Sequence, residues 1–280
     1  MKRLFEMVGG LLGPKKTHIY YMEQGAAAIE SADYQTAERE YLRALELAEE
    51  ARKHDDIAKI SLQLGYICEH QDRLAVAETH YRKAYQTEED SEHYEEAANA
   101  LVVLGKLYHK MRRMPDAEQV LQYAMSIFQQ HLNPQHRGVA DAAVTLADCY
   151  LDRKSYAEAE KLLLRAIAID TAEKGADDPA VAVCVHKLAL ALAGQSKEKE
   201  AERSFQQAVG AFDKMKSSMN KETAHKACAC YHDFGRFYLQ RQRQGDAKPF
   251  LSRGLALAEE FPGYLDEADL ADKCSAAAGT

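Results

Sequence analysis

The chain has 280 residues, long enough for one or two ordinary domains or for a continuous stack of small units without a globular centre. Hydrophobic residues at 46% and charged residues at 29%, with only 6 Pro and no low-complexity tract, describe a folded, soluble chain ordered nearly throughout. A net charge of −8 repels phosphate backbones and anionic lipid, which argues against a general nucleic-acid or membrane-surface role, although a local basic patch stays open.

The first residues, "MKRLFEMVGGLLGPKK", join a basic start to apolar positions, so a signal peptide has to be considered. Glu6 interrupts the apolar run and no small-residue cleavage site follows. Nothing in the chain approaches the roughly 20 apolar residues of a membrane span. Leu4, Met7, Val8, Leu11 and Leu12 instead follow helical spacing, predicting a short helix or cap over 1–16 that packs on the first structural unit. Anchoring to a membrane or a partner is the alternative.

From residue 17 onward the chain repeats itself. Six stretches align on an alanine: "DYQTAEREYLRALELA", "RLAVAETHYRKAYQTE", "RMPDAEQVLQYAMSIF", "SYAEAEKLLLRAIAID", "KEKEAERSFQQAVGAF" and "RQGDAKPFLSRGLALA". The anchors Ala37, Ala77, Ala117, Ala159, Ala201 and Ala247 lie 40, 40, 42, 42 and 46 residues apart, the period of a solenoid. Four residues after each comes a large side chain (Tyr41, Tyr81, Leu121, Leu163, Phe205, Leu251), and seven after it a small one (Ala44, Ala84, Ala124, Ala166, Ala208, Gly254). These offsets share one helical face.

A second column lies 12 residues before the anchors, at Gly25, Gly65, Gly105, Ala147, Ala189 and Gly235. Each unit thus has a first helix with a tiny contact residue and a second helix with a small-large-small face, the composition that lets two helix axes approach closely. Short polar turns such as "SADY", "HQDR", "MRRM" and "GQSK" join the two helices, a length suited to antiparallel pairs. Between units, Pro134 and Pro179 end one helix and open the next. In the last unit Pro249 is expected in the first turn of the second helix, where proline is tolerated.

These residues resemble the tetratricopeptide repeat, and the long period together with "LADCYLDRKSYAEAEKLLLRAIAIDTAEKGADDPAVA" is similar to its kinesin light chain-type variety. The resemblance covers about residues 17 to 262, as six repeats near 17–54, 55–94, 95–134, 137–178, 179–220 and 224–262, with a cap or tail over 263–280. It implies an all-α fold, a right-handed superhelical α-solenoid of six helical hairpins whose first helices line a concave groove. It also implies a role in binding peptides or partner proteins. Departures gather at the ends: Gln24 and Ala28 replace larger residues in the first unit, and Gly254 replaces the closing alanine in the last. A carboxylate clamp of the kind some members carry is not supported, because the matching stretch supplies Met22 and Ala26.

Helical spacing then places candidate partner-binding residues on the groove. The second unit offers Lys59, Leu62, Gln63, Tyr66 and His70; the third Asn99, Val102, Lys106, His109 and Lys110. The fourth offers Asp141, Val144, Asp148, Leu151 and Asp152; the fifth Val183, His186, Lys187 and Leu190; the sixth His232, Asp233, Arg236 and Gln240. Lys106 and Lys110, one turn apart beside Asn99, Lys59 and Tyr66, suit an acidic or extended peptide. Asp141, Asp148 and Asp152 repel one another unless cations answer them, either from a basic partner or from Lys106, Lys110 and Lys187. A plain solvated face is the competing reading.

"HKACACYH", residues 225 to 232, holds possible soft-metal ligands in His225, Cys228, Cys230 and His232. On one helix Cys230 points away from the other three, so ordinary packing is preferred to a metal site. The 6 Cys sit mostly in apolar helical contexts and read as reduced, which suits a cytoplasmic location. No P-loop, nucleophile-elbow, H-E-x-x-H or paired CxxC pattern occurs. The sequence therefore reads as a non-enzymatic adaptor or scaffold with no catalytic residues, cofactor or metal. Its expected partner is a peptide segment or protein, not nucleic acid, and the chain is a monomer or weak homo-oligomer. Self-assembly of a structural repeat protein, and a metal-dependent activity around His225 and His232, are the rival readings.

Overall fold

A computed structural model describes residues 17–263 and 267–278; the helix expected over 1–16 lies outside the described residues. The described residues form α-helices and no strand. The helices are α1 His18–Glu30, α2 Tyr34–Glu50, α3 His54–His70, α4 Leu74–Asp90, α5 Tyr94–Lys110 and α6 Met114–Ile127, then α7 Arg137–Asp152, α8 Tyr156–Lys174, α9 Pro179–Gly194, α10 Glu198–Met215, α11 Lys221–Leu239, α12 Gln244–Glu260 and α13 Glu267–Ala278. A π-helical segment, Phe128–Leu132, follows α6, and a 3₁₀ turn, Lys216–Ser218, follows α10. The chain forms two compact units, Met1–Leu132 and Asn133–Thr280. The first holds the hairpins α1–α2, α3–α4 and α5–α6. The second holds α7–α8, α9–α10 and α11–α12, with α13 packed on α12.

Each hairpin closes where the sequence leaves space. A Cβ built on Gly25 would lie 2.6 Å from the Tyr41 ring; on Gly65, 2.3 Å from Tyr81; on Gly105, 2.5 Å from Leu121; and on Gly235, 2.4 Å from Leu251. The large residue four after each anchor therefore rests on bare backbone of the first helix. Ala147 and Ala189 take the glycine position in the second unit and join the cluster that holds Leu163 and Phe205. All six anchor alanines are fully buried. Burying each large side chain stabilises its hairpin by about 1.5–3 kcal/mol.

The turns within hairpins are copies of one motif. Just past the end of each first helix a backbone N–H bonds back to the carbonyl five residues earlier: Asp33 to Ala28, Arg73 to Cys68, Arg113 to Tyr108, Ser155 to Tyr150, Lys197 to Leu192 and Arg243 to Tyr238, at 2.8 to 3.0 Å. The residue before each donor is left-handed, at Ala32, Asp72, Arg112, Lys154, Ser196 and Gln242, with φ between 57° and 61°. This is a Schellman turn built without glycine. Pro179 opens α9 at its first position, and Asp178 caps it by accepting the Ala180 N–H at 2.8 Å.

Two features of the last hairpin differ from, or explain, the sequence pattern. Helix α12 begins at Gln244, so Pro249 lies in its second turn rather than its first. The carbonyl it cannot bond belongs to Gly245, which is exposed and open to water. A Cβ on Gly254 would lie 3.2 Å from both Leu270 and Tyr231, so the missing methyl admits fully buried Leu270 of α13.

Gly65→Ala forces a methyl into the buried Tyr81 ring, and we expect it to lower the unfolding free energy by about 1–3 kcal/mol. Gly210→Ala, at an exposed position of α10 with nothing within 4 Å of the added Cβ, should raise it by up to about 1 kcal/mol. Urea unfolding of the two variants against the parent chain measures both.

Candidate protein-binding face

In the first unit the 40-residue period sets three first helices in register, and one face of each carries four equivalent positions. These are Ile19, Glu23, Ala26 and Glu30 on α1, Lys59, Gln63, Tyr66 and His70 on α3, and Asn99, Val103, Lys106 and Lys110 on α5. All are exposed except half-buried Val103. Spacings of four, three and four hold each set on one stripe. Among the described residues Lys59, Gln63, Asn99 and Lys106 make no hydrogen bond or ion pair within the chain. Lys110 is committed, with Nζ 3.1 Å from Glu69 Oε1, while Glu69 Oε2 accepts the Tyr81 hydroxyl at 3.1 Å. His109 is half-buried, and Val102, expected on the groove, is buried.

Aromatic rings mark the middle of this face. The His70 ring stacks on Tyr34 at 4.9 Å and lies 4.3 Å from the ring of Tyr66, a residue that stays 39% exposed. Tyr34 opens the second helix of the preceding hairpin, and Gln71 Nε2 donates to its carbonyl at 3.4 Å.

The corresponding face of the second unit is largely satisfied from within. Helix α9 packs directly against both α7 and α11, which narrows the face to half-buried positions. Lys187 Nζ donates to Asp148 at 2.5 Å, answering one of the three aspartates. Asp141 lies 3.7 Å from Arg137 of its own helix, and Asp152 is exposed with a partner of its own. His186, expected to be accessible, is only 7% exposed and lies 3.0 Å from Asp233, which sits 3.8 Å from exposed Arg236. Direct packing between first helices covers the position that helical spacing alone would expose.

The quartet of residues 225 to 232 diverges. His225 Nε2 lies 3.0 Å from the Phe261 carbonyl, Cys228 Sγ 3.6 Å from the Gly254 carbonyl, and His232 Nε2 2.8 Å from Asp269 of α13, without hydrogen-bond geometry. Cys230 is buried, and burial pushes its thiol far up. Burial likewise pushes the Cys184 thiol up to about 12, with the nearby Asp170 adding to it. Cys68, Cys149, Cys184, Cys228 and Cys230 are buried and in no disulfide, as small apolar residues of the core.

Helical-face reasoning missed a ladder at the turn edge. The glutamate after four of the six anchors pairs with the basic residue four before the next anchor: Glu38 with Arg73 at 2.6 Å, Glu78 with Arg113 at 2.6 Å, Glu160 with Lys197 at 2.7 Å and Glu202 with Arg243 at 3.1 Å. In two rungs a tyrosine completes the set. Tyr108 donates to Glu78 at 2.7 Å and Tyr238 to Glu202 at 2.8 Å, with the Arg113 and Arg243 guanidiniums 4.4 Å over those rings. The periodic glutamate and its basic partner were the available signal. Burial raises the Glu78 carboxyl, but the hydrogen bonds of Tyr108 and Arg82 and the charge of Arg113 outweigh it and hold the group below its ordinary value.

Glu78→Gln leaves these donors facing a neutral acceptor, and we expect a loss of about 1–3 kcal/mol in urea unfolding. His232 supplies a pH test. Burial holds its imidazole below the ordinary value, reinforced by Lys273 and Arg236 and opposed by Asp233 and Asp269. A depressed folded-state value gives stability that is complete above the unfolded-state value of about 6.5 and lost as pH falls through the folded-state value. Amide hydrogen exchange in α11 to α13 should therefore be faster at about pH 5 than at about pH 7, relative to intrinsic rates, and His232→Leu should flatten that difference.

A stack of antiparallel hairpins with small-on-large contacts and a periodic first-helix face defines a helical-repeat protein. Tetratricopeptide repeat models match residues 22–93, 96–172 and 138–214, and this chain belongs to the tetratricopeptide repeat family. No curated protein sequence matches it. Among solved structures it is similar to BtubC (BKLC) from P. vanneervenii, at 17% identity and a TM-score of 0.69, over 87% of this chain and 93% of that one. It is also similar to the apo form of RapI, at 14% identity and a TM-score of 0.68, over 94% and 97% of the two chains. A putative kinesin light chain of Podosopora anserina with TPR-like repeats aligns at 16% identity and a TM-score of 0.58, over 71% and 96%. At such identities the likeness shows the fold. The family membership supports protein–protein interaction in general, and no helix among the described residues is long and apolar enough to cross a membrane.

Proposed function

We propose that this chain is a non-enzymatic adaptor that binds an extended segment of a partner protein across the first-helix face of its first unit. The observation that carries this reading is the contrast between the two faces. On α3 and α5, Lys59, Gln63, Asn99 and Lys106 are exposed and make no bond among the described residues, whereas Lys187 and His186 in the second unit are occupied by Asp148 and Asp233. Free ammonium and amide groups on a helical scaffold can hold backbone carbonyls and carboxylates of an extended chain through charge-assisted hydrogen bonds. Lys106 and Lys59 carry the charge, Gln63 and Asn99 the amide contacts, and Tyr66 with His70 an aromatic ledge. Lys110 and His109 flank them. The family's use of repeats for protein interaction supports the reading, and five buried cysteines in no disulfide fit a reducing compartment such as the cytoplasm.

The test selects peptides from a displayed random library on the parent chain and measures them by titration calorimetry. Lys59→Glu with Lys106→Glu should weaken the selected peptides about tenfold or more, as expected for two charge-assisted contacts reversed in sign, with the thermal unfolding curve unchanged. Peptides that bind both chains equally would place the binding surface elsewhere.

A further inference from the structure

The three first helices of the first unit differ in charge in a regular order. At the four equivalent positions α1 presents two carboxylates, Glu23 and Glu30. Helix α3 presents one ammonium, Lys59, beside Gln63, Tyr66 and His70, and α5 presents two ammoniums, Lys106 and Lys110, beside Asn99. Glu23 and Glu30 are exposed and, among the described residues, have no ion-pair partner in the chain, as is true of Lys59 and Lys106. The face thus changes sign from one edge to the other, with its aromatic ledge, Tyr66 and His70, on the helix between them. The repeat sets the geometry, since residues 40 apart occupy the same place on successive helices: Glu23 corresponds to Gln63 and Val103, Ala26 to Tyr66 and Lys106, and Glu30 to His70 and Lys110.

We infer that the occupant of this face is a protein segment of divided charge, cationic where it crosses α1 and acidic where it crosses α5, with an uncharged stretch over Tyr66 and His70. This rests on the assignment of the first-helix face as the binding surface and adds the composition and placement of what it binds. A uniformly acidic segment gains at Lys59 and Lys106 but meets Glu23 and Glu30 with like charge. A uniformly basic one meets the opposite conflict. Only a divided segment meets unlike charge at both edges, so the acidic edge acts against fully acidic partners as much as it acts for the divided one. The same charges aligned across the face favour one direction of docking over its reverse.

Three synthetic peptides of equal length test this by fluorescence anisotropy at low salt. One carries a lysine-rich half and a glutamate-rich half around a Tyr-Asn centre; the others replace the charged residues by glutamate throughout or by lysine throughout. The parent chain should prefer the divided peptide to the all-glutamate one by about fivefold or more, the sum expected for two or three exposed pairs, and high salt should shrink that preference. Glu23→Lys with Glu30→Lys, both exposed, should reverse the order in favour of the all-glutamate peptide. If the parent chain binds the all-glutamate peptide as tightly as the divided one, and Lys59→Glu with Lys106→Glu weakens both, the face is a binding surface but the divided-charge inference is overturned. If neither pair of substitutions changes the binding of any peptide, the assignment of the face falls with it.

Discussion

The structure depends on one contact made six times, a large side chain of a second helix resting where the first helix has almost no side chain. At Gly25, Gly65, Gly105 and Gly235 the ring or leucine comes so near that no Cβ fits, and at Ala147 and Ala189 only a methyl intervenes. Close approach of the axes brings the buried anchor alanines into packing distance, and dense packing of small residues makes each hairpin a stiff unit. Stiff hairpins of equal length then carry residues 40 apart to equivalent places. Without that spacing the free side chains of α3 and α5 would form no common face.

Two further devices keep the hairpins in step. The Schellman turns fix the angle at which each second helix leaves its first, and they do so with left-handed Ala32, Asp72, Arg112, Lys154, Ser196 and Gln242, whose strain the packing on either side sustains. The rungs from Glu38 to Arg73, Glu78 to Arg113, Glu160 to Lys197 and Glu202 to Arg243 tie one hairpin to the next at the turn edge. With partly buried glutamates, and in two rungs a tyrosine hydroxyl as an extra donor, they do more than exposed surface pairs, which contribute about 0–1 kcal/mol. Structural charges are thereby drawn to the turn edge, while Lys59 and Lys106 on the first-helix face of the first unit have no partner among the described residues.

Much of this was legible in the chain. The anchor alanines, the column of tiny residues and the large residues that meet across them could be read from spacing, and so could the exposure of Lys59, Gln63, Asn99 and Lys106. The inaccessible state of His186 could not be read. Helical periodicity says which way a side chain points from its own axis but not how near the next first helix comes, and in the second unit α9 is packed from both sides. The ladder was written in the sequence as a periodic glutamate and a periodic base. It is visible as a set of bonds only once the turns bring residues some 35 to 41 apart together.

The sequence by itself determined the repeat, the hairpin and the family, because those follow from local periodicity and side-chain size, quantities that each short stretch carries intact. Only the tertiary structure decided which polar side chains of the first helices are spent and which are free. Asp148 and Lys187 bond each other, and His186 bonds Asp233, because successive helices bring them within reach; Lys59 and Lys106 find no such neighbour among the described residues. Whether a charge has a partner depends on distances between helices, and those are properties of the packed stack and not of any one segment.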